Sequence, residues 1–201
     1  MASIYDIKPA FQNLLRPLTA SLARVGITAN QVTVLAALLS AAAGLWIALQ
    51  PHASLPLLCL PLVLFLRMAL NAIDGMLARE HSMQSKLGAV LNELGDVIAD
   101  SLLYLPLALM PGVTATLIVL IVLLSIVSEM TGVVAIQIGA TRRYDGPMGK
   151  SDRAFFFGAL GLALGLGLEP GSWLTVICAL VLVALVLTVI NRARRALAEA
   201  A

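Results

Sequence analysis

NAIDGMLAREHSMQSKLGAVLNELGDVIAD, residues 71–100, sets acids, amides, glycines and basic groups inside a chain that is otherwise oily. Ionisable groups at membrane depth cost a few kcal/mol or more each, so where they persist they face a protected cavity and act there. The rest of the chain supplies the oil. Of its 201 residues 60% are hydrophobic and only 12% charged, with a mean hydropathy of +0.98. A soluble domain of this length does not carry that composition, so the chain reads as an all-α integral membrane protein.

Aliphatic runs at 32–49, 55–73, 87–110, 113–138, 154–168 and 173–190 approach the roughly 20 residues that cross the hydrocarbon, the fifth being short. The reading is six transmembrane helices. Lys8, Arg16, Arg24, Arg79, Lys86, Arg142, Arg143, Lys150, Arg153, Arg192, Arg194 and Arg195 all fall before the first span, between the second and third, between the fourth and fifth, or after the sixth. The alternate connections contain no basic residue. Basic residues are retained on the cytoplasmic side, which places both termini there, with the 71–100 site facing the cytoplasm. Only Arg67 lies within a span.

Asp6, Gln12, Asn13 and Arg16 interrupt the first twenty residues too often for a cleavable signal. Ile4, Ile7, Phe11, Leu14, Leu15, Leu18 and Leu22 recur at helical spacing with Asp6, Lys8, Gln12, Arg16 and Thr19 between them. Residues 1–27 are therefore expected to form an amphipathic interfacial helix, or one packed against the bundle, and residues 28–201 the membrane domain. Thr28 and Asn30 read as caps of the first span. Cys59 and Cys178 lie within spans, and His52 and His81 are isolated, so neither pair points to a metal or a redox role. Ala36, Ala37, Ser40, Ala41, Ala43 and Gly44 in the first span, and Gly158, Gly161, Gly165 and Gly167 in the fifth, let helices approach closely. Packing within the bundle explains them; a homodimer seam is the alternative.

Residues three and four apart share a helix face. Arg67, Asn71, Asp74 and Ala78 form one stripe at the end of the second span, and Gly88, Asn92, Asp96 and Asp100 another along the third. If the stripes face each other, oxygens of Asn71, Asp74, Asn92 and Asp96 converge, and oxygen-rich sites of this kind select hard cations. Gly75 and Gly88 leave the backbone accessible. Glu129 is an isolated acid inside the fourth span, with Arg67 the expected partner or a place in an acceptor pocket as the alternative.

This segment resembles the signature of the CDP-alcohol phosphotransferases, D-x-x-D-G-x-x-A-R, eight residues, then G-x-x-x-D-x-x-x-D. Asp74, Gly75, Ala78, Arg79, Gly88 and Asp96 match it in register, while Asn71 and Asn92 stand where the family has aspartate, a pattern similar to a bacterial inner-membrane branch. The resemblance implies an enzyme of phospholipid biosynthesis. In such enzymes divalent cations, Mg²⁺ or Mn²⁺, grip the diphosphate of a CDP-linked donor such as CDP-diacylglycerol, and a hydroxyl acceptor displaces CMP. Carried over by position, the resemblance makes Asp96 the base, Asn71, Asp74, Asn92 and Asp96 the metal ligands, and Asp74, Gly75, Ala78, Arg79 and Gly88 the nucleotide pocket. Two amides in place of carboxylates leave one or two cations open, with Asp100, one turn beyond Asp96, the better placed compensating charge.

The loop from Thr141 to Phe155 carries Arg142, Arg143, Lys150 and Arg153. Retention and attraction to anionic lipid account for basic residues in general. The last two also resemble a basic G-K-x-x-R stretch of the family, which implies that the loop holds phosphate or an anionic acceptor. Plain retention suffices for Arg192, Arg194 and Arg195. The expected partners are a CDP-lipid, a small polar alcohol and membrane lipid, with no nucleic acid. A silent donor-binding relative and a small transporter using Arg67, Glu129 and Asp96 are the competing readings, and no motif marks the acceptor.

Overall fold

A computed structural model of the protein describes the backbone from Ile4 onward and side chains from Pro9, so the readings placed on Ile4, Asp6, Ile7 and Lys8 side chains lie outside the described residues. Among these residues there are seven α-helices and no strand: α1 (Ile4–Arg24), α2 (Ala29–Leu49), α3 (Ser54–Glu80), α4 (Lys86–Tyr104), α5 (Ala115–Val134), α6 (Lys150–Gly165) and α7 (Ser172–Ala200). Short 3₁₀ turns, Leu105–Leu109 and Ala135–Ile138, extend α4 and α5. Every run read as a span is thus a helix.

Four helical stretches are long and apolar enough to cross a membrane: Ala29–Leu49, Ser54–Glu80, Ala115–Ile138 and Ser172–Ala200. The other two fall short for different reasons. α4 carries Lys86, Glu93, Asp96 and Asp100, and α6 has 16 residues, about 24 Å at the helical rise against a hydrocarbon core of about 30 Å.

The chain divides into two compact units, Met1–Ala42 with Leu62–Ala99, and Ala43–Pro61 with Asp100–Ala201. In the first, Leu15, Leu22 and Ala23 of α1 pack on a buried cluster of Ala29, Val32, Ile73 and Leu77. Phe11 meets Phe65 edge-on with ring centres 5.9 Å apart, and Arg16 pairs with Glu80 at 3.0 Å. The end of α1 is a Schellman turn: Gly26 at φ +81°, with the Ile27 N–H donating to Leu22 and the Gly26 N–H to Ala23. That left-handed residue is where glycine avoids the Cβ penalty. α2 opens on a reciprocal cap in which the Thr28 N–H donates to Gln31 Oε1 and the Gln31 N–H to Thr28 Oγ1. Asn30, read as a second cap, is instead already inside the helix, its side chain against Gly88.

In the second unit the small residues serve close packing. A Cβ on Gly44 would lie 1.9 Å from the Leu102 carbonyl oxygen, one on Gly161 2.7 Å from Leu60, and one on Gly165 2.9 Å from Leu58. Tyr104 stacks on Phe157 with ring centres 4.0 Å apart. α6 starts earlier than its hydropathy indicates because Asp152 Oδ2 accepts the Gly149 N–H at 2.9 Å, a cap that apolar periodicity does not register.

These clearances give an expected result. Gly44→Ala forces a methyl against backbone that has no flexible end to yield, and overpacking of this kind costs about 1–3 kcal/mol. Gly95→Ala, whose new methyl would find only Thr33 Cγ2 at 3.7 Å, should be neutral or stabilising by up to about 1 kcal/mol through helix propensity. Thermal unfolding of both variants in detergent checks the contrast. Equal midpoints would show that α2 does not hold Gly44 against Leu102.

Candidate functional site

Of the two stripes read from helical spacing, Arg67 and Asn71 meet Asp96 within the first unit. Asn71 Nδ2 on α3 donates to Asp96 Oδ1 on α4 at 3.2 Å. Arg67 Nη2, one turn before Asn71, donates to the Asp96 backbone carbonyl at 3.1 Å and stands 3.8 Å from Asp96 Oδ1. Arg67 is buried, with 4% of its side chain exposed, while Asp96 keeps 25%. A fixed cation at the back and an accessible carboxylate in front is an arrangement that orients the acid without closing it off.

Asp74 is buried and accepts the Thr33 hydroxyl at 2.8 Å. Thr33 and Asn30, three apart on α2, are contributions that the signature does not announce. Polar residues at the start of an aliphatic span were the signal for them.

The glycines do distinct things. A Cβ on Gly75 would lie 3.0 and 3.2 Å from the Arg79 guanidinium nitrogens, so the space is taken by Arg79 folding back over its own helix, with an otherwise exposed side chain. At Gly88 a Cβ would lie 2.7 Å from Asn30 Oδ1 and 3.0 Å from Ser85 Oγ, the hydroxyl that accepts the Gly88 N–H at the start of α4. Gly88 thereby lets α2 reach α4. Ala78 packs against the Ile73 and Leu77 cluster. Asn92 is exposed, one turn before Asp96 on the same helix.

A hard dication asks for oxygen ligands and negative charge. Asp74, Asp96 and Asn92 meet the first demand in kind, Asn71 turns its N–H to Asp96 instead, and the two carboxylates meet the second in part. Among the described residues no group of three or more histidines, cysteines and acids gathers where it could hold a metal ion. A divalent cation here would therefore rest on the carboxylates of Asp74 and Asp96 and be held by few charges.

The second unit holds a separate charge network. Glu129 on α5 faces Arg153 at 2.9 Å, Arg142 at 3.3 Å and Arg192 at 3.4 Å, and Arg153 reaches Asp100 at 3.1 Å. The neutralisation of Glu129 that helical reading assigned to Arg67 is thus supplied by three other arginines. Arg192, read as simple retention, is 1% exposed and also donates to the carbonyls of Ser128 and Asp145. Its place at the head of a basic tail disguised it.

Of the four basic residues assigned to the acceptor, Arg142 and Arg153 spend their charge on Glu129. Arg143 pairs with Asp145 at 2.8 Å and with Glu199, and Lys150 is half-buried at the start of α6. Burial pushes the Asp145 carboxyl up, but the Arg143 hydrogen bond with the Arg143 and Arg195 charges outweighs it and holds the group below the ordinary carboxylate range. Arg142 stacks over the Tyr144 ring at 4.3 Å. The loop is thereby tied to α7.

A family model described as CDP-alcohol phosphatidyltransferase matches residues 26–190. The Escherichia coli (strain K12) inner membrane protein YnbA is 46% identical over 195 residues, covering 97% of this chain and 96% of that protein. Among solved structures, Mycobacterium tuberculosis phosphatidylinositol phosphate synthase with CDP-DAG bound superposes with a TM-score of 0.74 at 23% identity, over 92% of both chains. The same synthase with manganese and citrate gives 0.75 at 24%, over 90% of this chain and 87% of the other. At those identities the two structures establish a shared fold.

Proposed function

Because the chain belongs to the CDP-alcohol phosphatidyltransferase family, we propose that it transfers the substituted phosphate of a CDP-linked lipid, CDP-diacylglycerol, to a small polar alcohol, with release of CMP. The observation that carries this reading is the meeting of the α3 and α4 stripes on Asp96, in register with the family signature.

The chemistry follows from those residues. The acceptor oxygen attacks the phosphorus that bears the lipid, the bond from that phosphorus to the CMP oxygen breaks, and the hydroxyl proton passes to the Asp96 carboxylate. Arg67 keeps the carboxylate aimed, and Asn71 holds one of its oxygens by an N–H. Arg79 lies over Gly75, from which a flexible guanidinium can swing onto a diphosphate. Asp74 and Asp96 would supply charge for a divalent cation, Mg²⁺ or Mn²⁺, with the Asn92 amide as a neutral donor beside them. When bound, that ion polarises phosphoryl oxygens and offsets charge on departing CMP.

The membrane placement belongs to the same reading. The one-sided distribution of basic residues supports six crossings with both termini cytoplasmic, α4 and α6 among them. The exposed Leu14 and Leu18 of α1 suit a helix lying in the membrane interface. YnbA's description as an inner membrane protein supports a bacterial inner membrane.

Purified protein given CDP-diacylglycerol, Mg²⁺ or Mn²⁺ and a mixture of polyols, amino alcohols and their phosphates is expected to release CMP. Binding of the donor without CMP in any mixture would instead support a silent relative. A flux driven by an ion gradient and indifferent to the CDP-lipid would support a transporter.

A further inference from the structure

Two carboxylates, Asp74 and Asp96, stand in the site against one buried guanidinium, Arg67, which leaves a single net negative charge among them. The geometry at Asp96 adds to this count. Asn71 turns its N–H, rather than its carbonyl oxygen, toward Asp96 Oδ1, whereas two residues sharing a cation must both present oxygen to it. Arg67 Nη2 faces the same oxygen and also holds the carbonyl of the same residue. The α3 side of Asp96 is therefore lined by hydrogen-bond donors and positive charge, and both repel a cation. Asp74 meanwhile takes the Thr33 hydroxyl on its Oδ2. Asn92, on the exposed side of α4, brings a carbonyl oxygen but no charge.

Resting on the phosphotransfer reading, we infer that this site holds one divalent cation per chain, and that Arg67 with the Asn71 N–H occupies the place where a second would be needed. Arg67 is here a positioning residue built into the protein, and it contributes a permanent positive charge that does not depend on metal supply. The Asp74 and Asp96 carboxylates carry the single ion. Asparagine at 71 follows from the same arrangement, since an aspartate there would set two carboxylates 3 Å or so apart with a cation required between them.

The test uses Mn²⁺ alone, titrated into metal-stripped full-length protein in detergent and followed by equilibrium dialysis and electron paramagnetic resonance. One Mn²⁺ per chain with an uncoupled hyperfine sextet, lost in Asp74→Asn, is the expected result. The double variant Asn71→Asp, Asn92→Asp is expected to take up a second Mn²⁺ and show an exchange-coupled spectrum. Two ions per wild-type chain, a coupled wild-type spectrum, or no tight Mn²⁺ at all would overturn the inference, and the wild-type measurement decides it even if the double variant fails to fold. CMP release with two coupled ions would sink the single-cation inference alone. One uncoupled ion without CMP release would sink the phosphotransfer reading alone.

Discussion

Asp96→Asn is expected to lower the rate of CMP release by about 10²–10⁴-fold, the range supplied by a positioned base in proton transfer. The substitution keeps the shape of the side chain, so the amide still fills the space beside Asn71 and Arg67, and the helices have no steric reason to part. What goes is the ability to accept the hydroxyl proton, together with a negative charge facing Arg67 and one of the two carboxylates that would hold the cation. The loss should therefore fall on turnover, with the detergent-solubilised protein still folded by thermal unfolding. Glu169→Gln, which changes an exposed acid in the loop before α7, serves as the control and should retain activity. Wild-type turnover in Asp96→Asn would remove Asp96 from the role of base.

The largest effect on stability is expected from Arg153. Its guanidinium is 1% exposed and meets Asp100 at 3.1 Å and Glu129 at 2.9 Å. Removing one partner of a buried pair strands the other and costs about 3–5 kcal/mol. Arg142 and Arg192 remain near Glu129 and soften that side of the loss, so the lower half of the range is expected. At about 2–4 °C per kcal/mol for a chain of this size, Arg153→Met should lower the unfolding midpoint by roughly 10 °C. Arg194→Met, on an exposed residue of the same basic charge, should leave it within about 0.5 kcal/mol. If the two variants unfold together, the Glu129 network contributes nothing to the fold.

Much of the helical frame was legible because lipid demands long aliphatic runs and the positions of basic residues punctuate them. The α3 and α4 stripes were legible for a simpler reason: a helix repeats every 3.6 residues, so Arg67, Asn71 and Asp74 had to share a face, and so did Asn92 and Asp96. What escaped the sequence is tertiary. Arg192 sits among three arginines at the end of the chain, and only packing distinguishes the one that turns inward to Glu129 from those that do not. Thr33 and Asn30 carry no spacing relation to the signature; they reach Asp74 and Gly88 because α2 lies against α3 and α4 in the first unit. The early start of α6 depends on Asp152 capping Gly149, a local hydrogen bond that overrides the hydropathy boundary. Glu129 drew Arg67 as its expected partner because Arg67 was the only basic residue inside a span; the loop and tail arginines reach further than span boundaries suggest.

The transfer itself is tested most directly by following the phosphorus. With CDP-diacylglycerol labelled in the phosphate that bears the lipid, the wild-type protein is expected to move the label into a new phospholipid in the presence of the right alcohol, while the CMP released carries none. Label that remains in CDP-diacylglycerol in every acceptor mixture, although the donor binds, would contradict phosphotransfer by this chain.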